Sequence, residues 1–326
     1  MTWSSSSFGA AAPPRLRKFA TRLEARMLGL ALILAIALSV LSPYFLTANN
    51  LLNLLDQSVV TGILAIGMTF VILTGGIDLS VGSVVGLTGV FLGLAMRHFN
   101  IPVSIALAVL SGAGIGLFSG VFIAYFGLAA FVVTLGVMAI GRSLAYIFSG
   151  QTSIADIPPA LNDIVYTKVF GVQTNVLSLL ALYALAWAYL GYTKGGRTIY
   201  AVGSNKEAAR TAGLNVLFYS ILPYVISGAM SAIAATLMSA QILSIDPLAG
   251  NGMELDAIAA VVIGGASLYG GRGTIIGTLI GVFIMVMIRN GLNLMGVSPF
   301  WQGSAIGGVI IAAVLAERLL SPKSRR

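Results

Sequence analysis

Hydrophobic positions along this chain fall in long, nearly unbroken runs rather than in the one-sided stripes of soluble helices. Such runs occupy about 27–46, 59–73, 79–96, 101–126, 129–148, 176–192, 217–241, 256–270, 274–289 and 301–316. A helical bilayer crossing needs about 20 predominantly apolar residues, so the pattern predicts ten membrane segments. The run at 256–270 is short and glycine-rich, which predicts a re-entrant or tilted segment. Between the runs, "PYFLTANNLLNLLDQS" (43–58) sets an apolar stripe among Asn49, Asn50, Asn53 and Asp56 and predicts a short interfacial helix. The stretch 149–175 is the longest outer connection and is too short for a folded domain.

Composition agrees. Of 326 residues, 58% are hydrophobic and 9% charged, with mean hydropathy +0.98, whereas soluble domains carry roughly a quarter charged residues. The fold class is therefore all-α, a polytopic transmembrane helical bundle of about ten spans. Its three parts are a Ser/Ala/Pro-rich then basic tail at 1–26, expected to be disordered, a membrane domain at 27–316, and a basic tail at 317–326. The run starting at Met27 lacks a small-residue cleavage site and leads into further spans, so it reads as an uncleaved first helix.

Charge orients the bundle. The net charge is +8. With ten crossings and the N-terminus inside, the inner segments collect Arg15, Arg17, Lys18, Arg22, Arg26, Lys194, Arg197, Lys206, Arg210, Arg272, Arg318, Lys323, Arg325 and Arg326, fourteen of the eighteen basic residues. Asp56, Asp156, Asp163, Asp246, Glu254 and Asp256 fall outside. The positive-inside rule predicts this asymmetry, so both termini are expected in the cytoplasm. The basic excess reports topology rather than nucleic-acid binding.

Catalytic chemistry is poorly represented. There is no cysteine, which excludes disulfides, thiol catalysis and cysteine-ligated metal. The lone His98 cannot build a metal site and reads as a loop residue. Phosphate-loop, H-E-x-x-H, G-x-G-x-x-G and G-x-S-x-G patterns are absent, as are the buried acid and histidine chains of a proton relay. No catalytic residue, metal or bound cofactor is expected of this chain.

The polar punctuation carries the candidates. In "ILTGGIDLSVGS" (71–82), Gly75 and Gly76 break a helix, and Asp78 or Ser80 can cap the next. The open alternative is that Asp78 faces a polar pathway. "NKEAARTA" (205–212) reads as a short helix capped by Ser204 or Asn205 and ended by Gly213, with Glu207 and Arg210 paired on its surface. It is either a solvated helix or a docking element, with Ala208, Ala209 and Ala212 as a low-profile face. In 244–277, Asp246, Glu254 and Asp256 are solvated loop charges or contacts for an outer partner, and Gly270–Gly273 make a tight inner turn. Arg142 and Arg289 are expected to snorkel to an interface. Asn290 and Asn293 either bond between helices or line a polar lumen. Glycines spaced by four (Gly112, Gly116 and Gly120; Gly82 and Gly86; Gly89 and Gly93; Gly277 and Gly281) predict close helix packing.

"GMTFVILTGGIDLSVGSVVGLTG" (67–89), "YAVGSNKEAARTAGLNV" (200–216), "ELDAIAAVVIGGASLYGGRGTIIGTLIG" (254–281) and "NGLNLMGV" (290–297) together resemble the permease subunits of bacterial ribose-type ABC sugar importers. The resemblance spans about Leu41 to Leu315. It implies a pair of identical or similar permeases in the lipid bilayer of the inner membrane, two cytoplasmic ATP-binding subunits and a periplasmic sugar-binding protein. It also implies an inverted repeat relating spans two to five with seven to ten. The "SNKEAARTAG" segment matches the coupling region, so the resemblance makes Glu207, Ala208, Ala209, Arg210 and Gly213 the ATPase contact. Transport of a monosaccharide by alternating access follows as the expected function. A self-contained secondary transporter and a branched-chain amino-acid permease remain as alternatives, and a membrane-embedded enzyme is a third class for which the spans supply no constellation.

Overall fold

The computed structural model describes residues 14–320, with side chains described for 24–298, 300–312 and 315. Residues 1–13 and 321–326, the outer portions of the two predicted tails, lie outside the described residues. In chain order the helices are α1 (Pro14–Leu41), α2 (Ala48–Leu73), α3 (Val81–Met96), α4 (Ile101–Ala124), α5 (Ala130–Ser149), α6 (Pro159–Tyr166), α7 (Thr174–Tyr192), α8 (Lys194–Ser204), α9 (Lys206–Thr211), α10 (Val216–Ile242), α11 (Met253–Ile263), α12 (Ile275–Leu294) and α13 (Pro299–Leu320). Between α6 and α7, β1 (Lys168–Val169) pairs antiparallel with β2 (Val172–Gln173). Its two-residue turn puts Phe170 and Gly171 at φ +51° and +82°, the left-handed pair that a tight hairpin requires.

Each predicted apolar run contains a helix. Among the described residues, seven helices (α1, α2, α4, α5, α7, α10 and α12) are long and apolar enough to cross a membrane, and α3 and α13 carry shorter apolar stretches. Helix starts follow local chemistry. Asn100, Asn205, Asn215, Thr193 and Thr274 accept first-turn N–H groups of Val103, Ala208, Phe218, Gly196 and Gly277 at 2.9–3.1 Å, satisfying donors that an apolar surround would leave unpaired.

Three expectations change. The helix at the N-terminus starts at Pro14, so it already covers much of the stretch 1–26 expected to be disordered. No separate interfacial helix exists at 43–58, because α2 runs unbroken from Ala48 to Leu73. Of the polar residues that suggested a surface helix, Asn50 and Asp56 bond to other helices, while Asn49 and Asn53 are exposed. Finally, α11 has only 11 residues, about 16 Å at 1.5 Å per residue, which is half a crossing. Unwound backbone at 264–274 follows it and reaches the C-terminal end of α2, where Gly271 N–H donates to Leu73 O at 2.9 Å.

Burial separates the helices into a core and a lipid-facing shell. In the apolar window of α2, 72% of residues are buried, and in α12 61%, against 6% in α1 and 22% in α4 and α5. The shell helices turn apolar side chains such as Leu110, Phe131 and Ile140 outward, as contact with hydrocarbon allows. Glycines pack the core. A Cβ at Gly112 or Gly116 would collide with the carbonyls of Gly228 and Tyr224 on α10, and one at Gly281 with Ala260 O on α11. Gly82 and Gly86 of α3 instead receive the backbone of the segment 243–252, so the four-residue spacing there accommodates a strap and not a helix.

The α4–α10 crossing provides a controlled test. Gly116→Ala forces the helices apart and is expected to destabilise by about 1–3 kcal/mol, whereas Gly114→Ala, with nothing within 4 Å of the new methyl, is neutral or slightly stabilising. Thermal unfolding of the two variants in detergent distinguishes them.

Candidate functional site

The site is a set of polar nodes where helices break. At the end of α2, Gly76 N–H donates to Val71 O at 3.1 Å and Gly75 N–H to Ile72 O at 2.9 Å, with Gly75 at φ +77°. This is the Schellman pattern, which closes orphan carbonyls without water. Asp78 then lies 3% exposed. Its Oδ1 accepts from Ser80 N–H (3.0 Å) and Ser80 Oγ–H (2.6 Å), and its Oδ2 from Ser227 Oγ–H of α10 (2.7 Å). The expected capping role is corrected: Ser80 occupies the N-cap position of α3 without a side-chain cap bond, its backbone being helical (φ −81°, ψ −13°) instead of the extended conformation usual for a capping residue. Asp78 ties the turn to α10, three helices being joined by one buried acid. The Tyr224 hydroxyl sits where a Gly76 side chain would be, so Gly76 is needed for that approach.

Against this turn rests the segment of α8 and α9. A Cβ at Gly203 of α8 would strike Leu73 O, and Gly75 faces the backbone of Tyr269 and Gly270. Tyr200 Oη–H donates to Gly273 O at 2.9 Å, and burial pushes its phenol up to about 12, so it remains a donor. Next, α9 is capped by Asn205, terminated by Gly213 at φ +76°, and bears the Glu207–Arg210 pair at 3.5 Å. Glu207, Ala208, Arg210, Ala212 and Gly213 are exposed, whereas Ala209 is buried at 4%. The outward alanine face therefore consists of Ala208 and Ala212, and Ala209 packs inward.

At the opposite end, Asp256 and Arg289 form an ion pair at 2.8 and 3.0 Å between α11 and α12. Asp256 is 5% exposed. That corrects one expectation: Asp256 is no surface contact for an outer partner. Arg289 is paired with it while its own side chain stays 41% exposed, and the half-buried Arg142 donates its guanidinium N–H groups to Ala249 O (3.1 Å) and Pro247 O (3.4 Å). Asp246 is exposed, with Oδ1 accepting from Leu248 N–H at 2.8 Å. Glu254 is half-buried, and its Oε2 is buried without a hydrogen-bond partner. Asn290 pairs reciprocally with Asn50 of α2 at 2.8 and 3.0 Å, an interhelical bond rather than a lumen lining, while the exposed Asn293 accepts from Gln302 at 2.6 Å.

One hub escaped sequence reasoning. Asp56 accepts from Asn175 Nδ2 (2.6 Å), Gln241 Nε2 (2.6 Å) and Tyr166 Oη (3.2 Å), joining α2 to α7, α10 and α6. Burial and the Asp56 charge hold the Tyr166 phenol well above its ordinary range. Ser227, the partner of Asp78, was also missed. The pairing of Asp256 with Arg289 was missed as well.

A lipid-facing shell around a buried core, with the half-length α11 and its unwound extension packed inside, defines a polytopic membrane helical protein. The model of the family described as "Branched-chain amino acid transport system / permease component" matches residues 50–314, and the chain belongs to that family. Over 300 residues it is 41% identical to the ribose import permease protein RbsC of Escherichia coli (strain K12), covering 90% of this chain and 94% of the relative. It is 40% identical over 289 residues to the ribose import permease protein RbsC of Bacillus subtilis (strain 168), covering 88% and 90%. With the D-allose transport system permease protein AlsC of Escherichia coli (strain K12) it shares 36% identity over 294 residues, 90% of each chain. No solved structure matches. The chain is thus a permease, a transport subunit and not an enzyme.

The ion pair makes a sharp prediction. Arg289→Gln strands the buried Asp256 carboxylate and is expected to destabilise by about 1–3 kcal/mol. Asp256→Asn combined with Arg289→Gln recovers at least about 1 kcal/mol of that loss, read as midpoint shifts in a thermal double-mutant cycle.

Proposed function

We propose that this chain is the membrane permease of an ATP-driven importer that carries a monosaccharide of the ribose-like class across the bacterial inner membrane by alternating access. The observation carrying this reading is near-full-length identity of 36–41% to permeases named for ribose and D-allose import. The family description includes branched-chain amino acids, but these relatives favour a sugar as cargo. The partners are two cytoplasmic ATP-binding subunits, a periplasmic sugar-binding protein and a second permease, identical or similar. In this reading α1–α5, α7 and α10–α13 are ten passes with both termini cytoplasmic, the half-helix α11 completing its pass through 264–274. The basic residues of the inner segments support that orientation.

The engine contact is α9 with Glu207, Ala208, Arg210 and Gly213. Its position supports the role: α8, immediately before it, abuts the carbonyl end of α2 and the glycine turn at 270–273. A push on α9 therefore bears on the end of α2 and on the unwound segment that follows α11. In this scheme the chain binds no nucleotide and moves sugar only when its partners hydrolyse ATP.

In proteoliposomes holding the complete complex, Glu207→Arg and Gly213→Phe are expected to leave assembly intact and to abolish most sugar-stimulated ATP hydrolysis. Unchanged stimulation removes α9 from the contact. Concentrative sugar uptake by the purified chain alone, without ATPase partners, overturns the importer reading as a whole.

A further inference from the structure

The segment 243–252, between α10 and α11, is built as a strap. Leu243 and Gly250 leave the helical conformation at φ +49° and +78°. Near its start, Ile245 and Ile154 exchange two backbone hydrogen bonds of 2.9 Å. In the middle, Arg142 holds Pro247 O and Ala249 O. Its backbone lies on α3 along the side-chain-free edge of Gly82 and Gly86, and a Cβ at Gly93 would come within 2.9 Å of Ile245. Under the strap, between α3 and α10, lies a cavity of about 350 Å³.

The lining divides by chemistry. Val85, Ala235 and Met238 make an apolar floor, and Ser239 stands on the wall. Ser244, Asp246 and Asn251 form the outer rim. Asp246 commits Oδ1 to Leu248 N–H, so Oδ2 is left to accept from a hydroxyl. Small-molecule sites begin near roughly 300 Å³, so the cavity has room for one small polyol ring. The ring's C–H face suits the floor, and its hydroxyls suit a carboxylate, an amide and a serine. A carboxylate on the rim disfavours a phosphate headgroup, which argues against lipid.

We propose that this cavity is a reception site for a single monosaccharide on the permease itself, at the end of the bundle remote from α9. The inference rests on the sugar-permease reading. It adds that the permease makes its own contacts with the cargo beneath the strap, with Asp246 accepting from a sugar hydroxyl.

The native absence of cysteine gives a clean test. In the complete complex, Ser239→Cys is labelled with a small methanethiosulfonate reagent in the presence of D-ribose, D-allose, D-xylose or D-galactose. Phe170→Cys, on the exposed hairpin, is the control. A transported sugar at ten times its dissociation constant is expected to slow labelling at 239 about tenfold and to leave 170 unaffected. Ala235→Leu, which fills the floor, is expected to lower uptake of the same sugar while the affinity for the loaded binding protein stays unchanged. Uptake by the complex without protection of the introduced thiol at position 239 by any of the four sugars overturns the site and leaves the permease reading standing. Protection by added phospholipid and not by sugar also overturns it. A complex that takes up none of the four sugars counts against the cargo reading, through a measurement separate from the labelling.

Discussion

Hydrocarbon offers no water to a stranded donor or acceptor, so each interruption of a helix in this chain must bring its own partners. Where α2 ends, a glycine-terminated turn closes its carbonyls and Gly271 supplies one more donor from a distant segment. Where α11 stops halfway, the unwound backbone is drawn against the end of α2 instead of lying against lipid. Three carboxylates meet the same constraint: Asp78 takes three donors, Asp56 takes three, and Asp256 takes an arginine. Three acids thus do for helix association what apolar burial cannot do in a bilayer, because lipid tails are as apolar as leucine.

Close packing supplies the rest. The glycines at 112 and 116 let α4 and α10 meet backbone to backbone, and those at 277 and 281 do the same for α11 and α12. Interfaces of this kind have little interlocking side-chain relief, so they resist separation while opposing sliding only weakly. The polar nodes fix the register that the glycines leave loose. Transport needs both properties, a bundle that holds together and elements within it that shift relative to one another.

Much of this was legible in the residues. The apolar runs located the membrane helices, and Asn205 with Gly213 bounded α9 because capping chemistry is local. What failed was partner choice. Asn50 and Asp56 looked like surface polarity because their partners lie far away in sequence, Asn290 at one remove and Tyr166, Asn175 and Gln241 at another. Arg142 looked like an interfacial anchor because nothing nearby predicts a strap crossing over α3. Ala209 looked like one alanine among three, and only the packed body decides that it faces inward. Local rules carry helix ends; long-range hydrogen bonds need the fold.

The unbroken course of α2 has a mechanical meaning. A helix of 26 residues is about 39 Å long at 1.5 Å per residue, and it is gripped near both extremities, by Asp56 above and by α8 with the 270–273 turn below. Such a rod ties one end of the bundle to the other through its most buried helix. A tilt of about 5° would displace one tip relative to the other by roughly 3 Å over that length, as much as the 2.6–3.2 Å hydrogen bonds that Asp56 accepts at one end, so α2 cannot tilt unless the helices gripping it move with it.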